Sequence, residues 1–139
     1  MNRISLTKNL FLDEYIPKGL YLKYEAKPWI IIGLIDDRLV KADQMLRDHF
    51  GPVTINNWWE ELDRNWSGLR TPASPEYAPE SQHTFGRASD KLFKNATAQE
   101  VREYIKKSYK ILGITCIEGK VSWLHSDTRA VTILGLLIV

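Results

Sequence analysis

The sequence predicts an α+β fold, and three observations support this prediction. Residues 36–50 and 97–112 each carry apolar residues at the three- and four-residue spacing of an amphipathic helix. Short β-rich segments lie at residues 53–59, 114–129 and 131–139. Turn formers connect most of these segments, which favours hairpins over alternating βαβ units. We therefore expect a single domain, residues 1–139, with an antiparallel sheet and two or three helices.

Length, charge and cysteine content exclude several classes of protein. The chain has 139 residues, and its 19 Lys and Arg against 17 Asp and Glu give a formal net charge of only +2. This balance disfavours nucleic-acid binding, since phosphate contacts need a strongly basic surface. The single cysteine cannot form an intrachain bridge. The chain shows no signal-peptide pattern and no apolar run of about 20 residues, so we expect cytoplasmic synthesis and no membrane segment.

The first helix is predicted over residues 36–50. Its apolar stripe consists of Leu39, Ala42, Met45, Leu46 and Phe50. Gly51 and Pro52 end it. The segment VTINNWW that follows predicts a strand ending in aromatic residues. Its tryptophans, together with Trp66, favour packing in the core or at its rim, with lining of a groove as the alternative.

Residues 64–86 predict a long surface loop, because they contain three prolines and many turn formers. Loops longer than about 12 to 15 residues in a compact domain are usually functional or disordered. We therefore expect functional residues in this loop.

The second helix is predicted to begin at Thr97, where Glu100 completes a capping box, and to end at Gly113. Its apolar face consists of Val101, Tyr104, Ile105 and Tyr109. Two short strands around residues 119–120 and a third β segment over residues 131–139 complete the expected sheet.

Three residues form the best candidate metal site. His83 and Asp90 lie seven positions apart in the loop region, and His125 lies in the predicted strand VSWLHSD. Two imidazoles and one carboxylate suit catalytic zinc, which keeps a fourth position open for water. From spacing alone, solvent-facing or capping roles are the commoner explanation for such residues. A non-haem iron site is a weaker alternative, because its His and Asp are commonly two residues apart on one strand.

Three motifs in order resemble the M15 peptidases. They are SxHxxGxAxD at residues 81–90, SGLR at residues 67–70 and WLH at residues 123–125. This family includes zinc D-alanyl-D-alanine carboxypeptidases and dipeptidases and phage L-alanyl-D-glutamate endopeptidases. The resemblance covers residues 55–129 and implies a hedgehog/DD-peptidase-like fold. It also implies that His83, Asp90 and His125 bind zinc and that Arg70 lies in the active site.

The resemblance agrees with the chemistry of the individual residues. A guanidinium such as that of Arg70 offers a rigid fork of donors to an oxyanion or a substrate carboxylate. Gly86 would permit a turn that a Cβ would obstruct, and Ala88 would leave room for close packing near the metal. Ser81 is a candidate for a hydrogen bond within the ligand loop.

The acid that would activate water is missing from its usual place. The M15 pattern carries an acidic residue three positions before its last histidine, and here that position is Ser122. Glu118 and Asp127 are the candidate replacements. We favour Glu118 as the catalytic base, because a hairpin can bring it back beside the metal, while Asp127 has the alternative role of orienting His125.

These observations predict a zinc metallopeptidase that hydrolyses peptide bonds involving D-amino acids in the stem peptides of bacterial peptidoglycan. Carboxypeptidase and endopeptidase specificity both remain open. We expect a phage-encoded endolysin or virion-associated enzyme that acts on the cell wall, with phage virion proteins as candidate partners. The alternative is a non-catalytic phage structural or wall-binding module that retains the zinc site, and Ser122 is the residue that favours it.

Overall fold

The computed structural model describes residues 2–139 and has the α+β fold that the sequence predicts. The helices of the described residues are α1 (Lys18–Tyr24), α2 (Trp29–Ile32), α3 (Asp37–Phe50) and α4 (Ala98–Leu112). The strands are β1 (Val53–Thr54), β2 (Ala88–Phe93), β3 (Cys116–Ile117), β4 (Leu124–Asp127) and β5 (Leu137–Ile138). Single 3-10 turns lie at Leu12–Glu14 and Trp58–Glu60. None of the helices described over residues 2–139 has the length and apolar character that a membrane span requires.

The five strands form one sheet in the order β1-β2-β4-β3-β5. All neighbours are antiparallel except β3 and β5, which are parallel. The expected antiparallel sheet is therefore mostly confirmed. The exception arises because the chain crosses over β3 after β4. Strand β5 then pairs with the far edge of β3 and runs in the same direction as β3. Within the predicted β segment 131–139, only Leu137–Ile138 pairs as a strand.

The register of β2 and β4 separates two faces of the sheet. Asp90 pairs with His125, and the next pair along is Ser89 with Ser126. Since successive side chains alternate in direction, Asp90 and His125 lie on one face and the two serines on the other. Helices α3 and α4 pack on the serine face. The candidate metal ligands thus lie on the face that these helices leave open.

Both predicted helices are confirmed, with their predicted ends. The Asp36 side chain accepts a hydrogen bond from the backbone N–H of Arg38 at the start of α3, and Gly51 ends this helix. Helix α4 begins with the Thr97 and Glu100 capping box and ends at Gly113.

Helices α1 and α2 bring the number of α-helices to four in residues 2–139, more than the two or three expected. With seven and four residues, they are too short for periodicity to mark them, and helices of this length depend on tertiary packing. Their packing residues, Tyr21 and Ile31, are almost completely buried.

Two apolar clusters form the core. The first gathers buried residues of the N-terminal third around Tyr15, together with Ile55, Trp58 and Leu69 from the following segment. The second lies between the sheet and helices α3 and α4, with Leu46, Ile105 and Leu124 among its buried members. The first cluster supports the loop that carries His83, and the second supports the strands that carry Asp90 and His125.

Two predictions of local structure are wrong in ways that affect the site. The strand predicted over residues 53–59 ends at Thr54, because the backbone of Asn56 turns to bond Glu14 and its side chain accepts a hydrogen bond from the Ser67 N–H. The long loop has no helix or strand, as expected, and it ends at Arg87, one residue after its predicted end, but the strand β2 that follows was not predicted. Asp90 is therefore the third residue of β2 and not a loop residue.

Candidate metal centre

The structure brings His83, Asp90 and His125 together. One ligand atom from each lies within 4.8 Å of the other two, and all three residues are buried. The Asp90 Oδ1 atom is 2.9 Å from His125 Nδ1 and 3.3 Å from His83 Nε2. This group can hold a metal ion.

Backbone contacts of the loop place His83 opposite the two strand residues. Its carbonyl oxygen accepts a hydrogen bond from the Arg70 N–H, and its Nδ1 donates to the Gly68 carbonyl oxygen at 2.8 Å. A Cβ at Gly68 would overlap the backbone of Tyr15, so this close approach requires glycine. Because Nδ1 donates its hydrogen bond to the Gly68 carbonyl, Nε2 is the ring nitrogen that faces Asp90.

His125 is likewise oriented by a hydrogen bond at the ring nitrogen that does not face Asp90. Its Nε2 lies 2.9 Å from Asp127 Oδ2, which leaves Nδ1 facing Asp90. Asp127 is fully buried, and the Arg129 side chain donates to both of its oxygens, at 2.7 and 2.8 Å. Metal-binding histidines usually donate the other ring N–H to a carboxylate or a carbonyl. Both imidazoles fulfil this condition, so the donor set fits a bound metal ion.

The charges of the three candidate ligands and of Asp127 influence one another strongly. Burial opposes ionisation of Asp90, but hydrogen bonds to His125 and His83 hold its pKa well below the usual range. Burial also lowers the pKa of His125, whereas Asp127, Asp90 and Glu118 outweigh this effect and raise that pKa to about 9. Asp127 is desolvated as well, yet its bonds to His125 and Arg129 lower its pKa to about 2. A metal ion at this site therefore competes with a proton on His125.

Arg70 lies in the site, as the resemblance implies, and its guanidinium already binds other residues of the site. Its NH2 group is 2.8 Å from Asp90 Oδ2 and 3.3 Å from Glu76 Oε2, and its Nε donates to the Trp66 carbonyl. The guanidinium thus holds the Asp90 oxygen that does not face the imidazoles.

The two candidate bases occupy different positions. Glu118 borders the metal site, with Oε1 3.7 Å from His125 Nδ1 and its side chain 36% exposed. Asp127 has both oxygens bound by His125 and Arg129, so it lies behind the imidazole. Ser122, at the family's usual acid position, is exposed and does not line the cavity around the three ligands.

The contacts of Gly86 and Ser81 agree with the expectations for them. Gly86 has φ 68°, and a Cβ there would overlap the Leu34 carbonyl. The Ser81 hydroxyl accepts a hydrogen bond from the His83 N–H. Ala88 is almost completely buried beside Asp127, its partner in the sheet.

Two adjoining cavities surround this group. The metal cavity, of about 310 Å³, is lined by Arg70, Glu76, Glu80, Ser81, Gln82, His83, Asp90, Glu118, Trp123, His125 and Arg129. The side cavity, of about 250 Å³, shares Arg70, Glu76, Asp90 and Trp123 and adds residues 63–67. We call the two together the cleft.

Sequence reasoning missed Arg64, Glu76 and Arg129 in this cleft. The only signal for Arg129 was its position two residues after Asp127, and neither Arg64 nor Glu76 belongs to a motif.

No protein-family model matches the chain, and neither does any curated protein or solved structure. The resemblance to the M15 peptidases thus rests on the three sequence motifs and stays a hypothesis.

Proposed function

We propose that this chain is a zinc-dependent peptidase of the M15 type that hydrolyses peptide bonds involving D-amino acids in peptidoglycan stem peptides. The observation that carries the proposal is the buried group of His83, Asp90 and His125, which opens onto a cleft. Its chemistry and the three motifs around it point to the same activity. We place the protein among phage lysins or virion-associated enzymes, made in the cytoplasm and acting on the wall.

The donor set favours zinc over iron. Zinc accepts two imidazoles and one carboxylate in catalytic sites and keeps one position open. When bound, it supplies a Lewis acid and a site where water loses its proton near neutral pH. In the iron alternative, a histidine and an aspartate are commonly two residues apart on one strand. His125 and Asp127 have this spacing on β4, but the oxygens of Asp127 are bound by His125 and Arg129. The carboxylate of the ligand group is Asp90 on β2, and His83 lies in the loop seven residues before it.

Glu118 is the residue that accepts the proton of the attacking water. It is the partly exposed carboxylate beside His125, at the end of β3, and it lines the metal cavity. A general base must lie within reach of the proton that it removes. Asp127 does not meet this condition, since its oxygens bind His125 and Arg129. Its role is to fix the orientation of the His125 ring.

Arg70 supplies positive charge beside the reacting carbonyl. Its guanidinium lies at the boundary of the two cavities, 2.8 Å from Asp90. Donors held in place before the reaction stabilise negative charge that develops in the transition state. Its bonds to Trp66 and Asp90 provide this preorganisation.

The proposal is tested by metal analysis combined with digestion of peptidoglycan. Purified protein should contain about one zinc per chain and release stem-peptide fragments that mass spectrometry identifies as carboxypeptidase or endopeptidase products. His83→Ala and His125→Ala should lose both the metal and the activity. His49→Ala is the matched control, because His49 is exposed on α3 and stacks on Tyr104. Full zinc retention in both ligand variants would contradict the metal assignment.

The serine at position 122, where the M15 pattern has its acid, favours a second candidate, a wall-binding module that retains the metal but does not hydrolyse substrate. Such a protein would bind zinc and sediment with peptidoglycan but release no fragment. Cleavage by a Ser122→Glu variant, together with inactivity of the natural chain, would establish this second function.

A further inference from the structure

Arg64 differs from the other arginines of the cleft in lacking a carboxylate partner. Arg70 pairs with Asp90 and Glu76, and Arg129 pairs with Asp127. Arg64 instead donates from Nε to the Ile55 carbonyl at 2.7 Å and from NH2 to the Asp90 carbonyl at 3.2 Å. Within residues 2–139, no carboxylate oxygen lies within 4.0 Å of its guanidinium, and its Nη1 atom makes no hydrogen bond.

This cation is partly removed from water. Arg64 is half-buried, and burial lowers the pKa of its guanidinium, although Asp90, Asp63 and Glu76 act in the opposite direction from beyond ion-pairing distance. A desolvated charge without an ionic partner is costly, and an anionic ligand would relieve this cost.

The position of Arg64 connects it to the proposed reaction. It lines the side cavity together with Trp66 and Trp123. The side cavity joins the metal cavity at Arg70 and Asp90. A peptide whose scissile bond lies at the metal ligands can therefore extend into the side cavity, where Arg64 donates to the Asp90 carbonyl.

We propose that Arg64 is a specificity-determining residue that binds a free carboxylate on the substrate residue in the side cavity. The substrate class is then a peptide with an unamidated carboxylate next to the scissile bond. This inference rests on the proposed peptidase function and refines it. It also separates two roles, with Arg64 recognising the substrate anion and Arg70 facing the reacting carbonyl.

The test compares two peptides that differ only in having carboxylates or carboxamides at the same two positions. One is the stem pentapeptide L-Ala-γ-D-Glu-L-Lys-D-Ala-D-Ala with both α-carboxylates free, and the other has both converted to carboxamides. Calorimetric titration into metal-stripped protein measures binding without turnover. We expect the natural chain to prefer the acid by about 10- to 100-fold, the range expected for hydrogen bonds to a charged group.

Three variants identify the residue responsible. Arg64→Gln should bind both peptides alike, with the affinity that the natural chain has for the amide. Arg64→Lys should keep part of the preference, since it retains the charge without the planar fork. Lys107→Gln, an exposed residue of α4, makes the same change in net charge and should behave as the natural chain does.

Four results would overturn the proposal: equal binding of acid and amide by the natural chain, an undiminished acid preference in Arg64→Gln, equal weakening of both peptides in that variant, or no binding at all. The first of these needs no variant, so a folding defect cannot hide it.

Hydrolysis is measured separately with zinc added. Arg64-dependent binding without cleavage would refute the peptidase function and support the carboxylate site. Cleavage without a preference for the acid would support the peptidase function and refute the carboxylate site.

Discussion

Single side chains decide how the candidate site would work, and His125 shows this most directly. Both of its ring nitrogens are engaged, one toward Asp90 and the other toward Asp127. Glu118 approaches the same imidazole from the cavity. Besides the ligand Asp90, the carboxylates of Asp127 and Glu118 thus reach this histidine from different surroundings, and different surroundings give them different tasks.

Exchanging each carboxylate for its amide separates these tasks. Glu118→Gln should keep the metal and lower hydrolysis by about 100- to 10,000-fold, because it removes the proton acceptor but not the side-chain length. Asp127→Asn should instead lower metal affinity by about 10- to 100-fold, because the amide no longer orients His125 as a carboxylate does. Competition with a chelator measures the affinity, and release of stem-peptide fragments measures the activity. The reverse order of effects would make Asp127 the base.

At the scale of elements, the turn at Gly86 connects the loop to β2. Its φ of 68° is one that side-chain-bearing residues rarely adopt, and its carbonyl accepts a hydrogen bond from the Asp36 N–H. The turn lies between His83 and Asp90, so its geometry sets the distance between the loop ligand and the strand ligand.

Gly86→Ala should destabilise the fold by about 3 kcal/mol or more, because it adds a steric overlap with Leu34 to the strain of a positive φ. Gly113→Ala is the matched control. Gly113 has φ 74°, and nothing lies within 4 Å of an added Cβ, so only the backbone strain of about 1 to 2 kcal/mol applies. Urea unfolding of both variants measures the difference. Equal losses would show that contact with Leu34 does not constrain the turn.

A buried polar network joins β2 and β4 to α3 on the other face of the sheet. Lys91 Nζ is 2.8 Å from Asp43 Oδ1 and donates hydrogen bonds to the hydroxyls of Ser89 and Ser126. The Tyr15 hydroxyl also donates to Asp43. Since Ser89 and Ser126 are register partners, the network supports the pairing that puts Asp90 beside His125.

Lys91→Met should cost about 3 to 5 kcal/mol, because it leaves Asp43 buried without its cation. The double variant Lys91→Met/Asp43→Asn should recover part of this loss, since a neutral amide can still accept hydrogen bonds from Tyr15 and Ser89. Chemical unfolding of both proteins measures the recovery. A loss below about 1 kcal/mol in the single variant would show that the ion pair adds little.

For the whole molecule, Glu14 makes stability depend on pH. Burial raises its pKa to about 7 from an ordinary 4.5, even though its carboxylate accepts a hydrogen bond from the Phe11 N–H. Between these two values the folded chain keeps a proton that the unfolded chain releases. The contribution of Glu14 is therefore complete below about pH 4.5 and is lost as the pH rises through 7, at most about 3 kcal/mol in all.

Glu14→Gln should remove this dependence, because glutamine can accept the same hydrogen bond without titrating. The variant should match the natural chain near pH 4 and exceed its free energy of unfolding by about 1 to 3 kcal/mol at pH 8. Urea unfolding across this range provides the comparison, and the difference between the two proteins cancels the other titrating groups. A difference that does not change with pH would contradict the role of Glu14.

Local patterns in the sequence were sufficient for α3, α4 and the turn at Gly86. Helix periodicity, the Thr97 capping box and glycine's tolerance of positive φ each act within a few residues of the chain. The types and order of the candidate ligands His83, Asp90 and His125 could also be recognised, because their side chains carry the relevant chemistry.

Only the tertiary structure decided how these ligands meet. The position of Asp90 in β2 depends on its pairing with His125, 35 residues later, and the short helices α1 and α2 exist because buried residues such as Tyr21 pack against distant partners. The unpaired charge of Arg64 is likewise visible only when the carbonyls of Ile55 and Asp90 occupy its donors. These features come from contacts between segments far apart in the chain, and the free energy of such contacts depends on three-dimensional packing that no local pattern encodes.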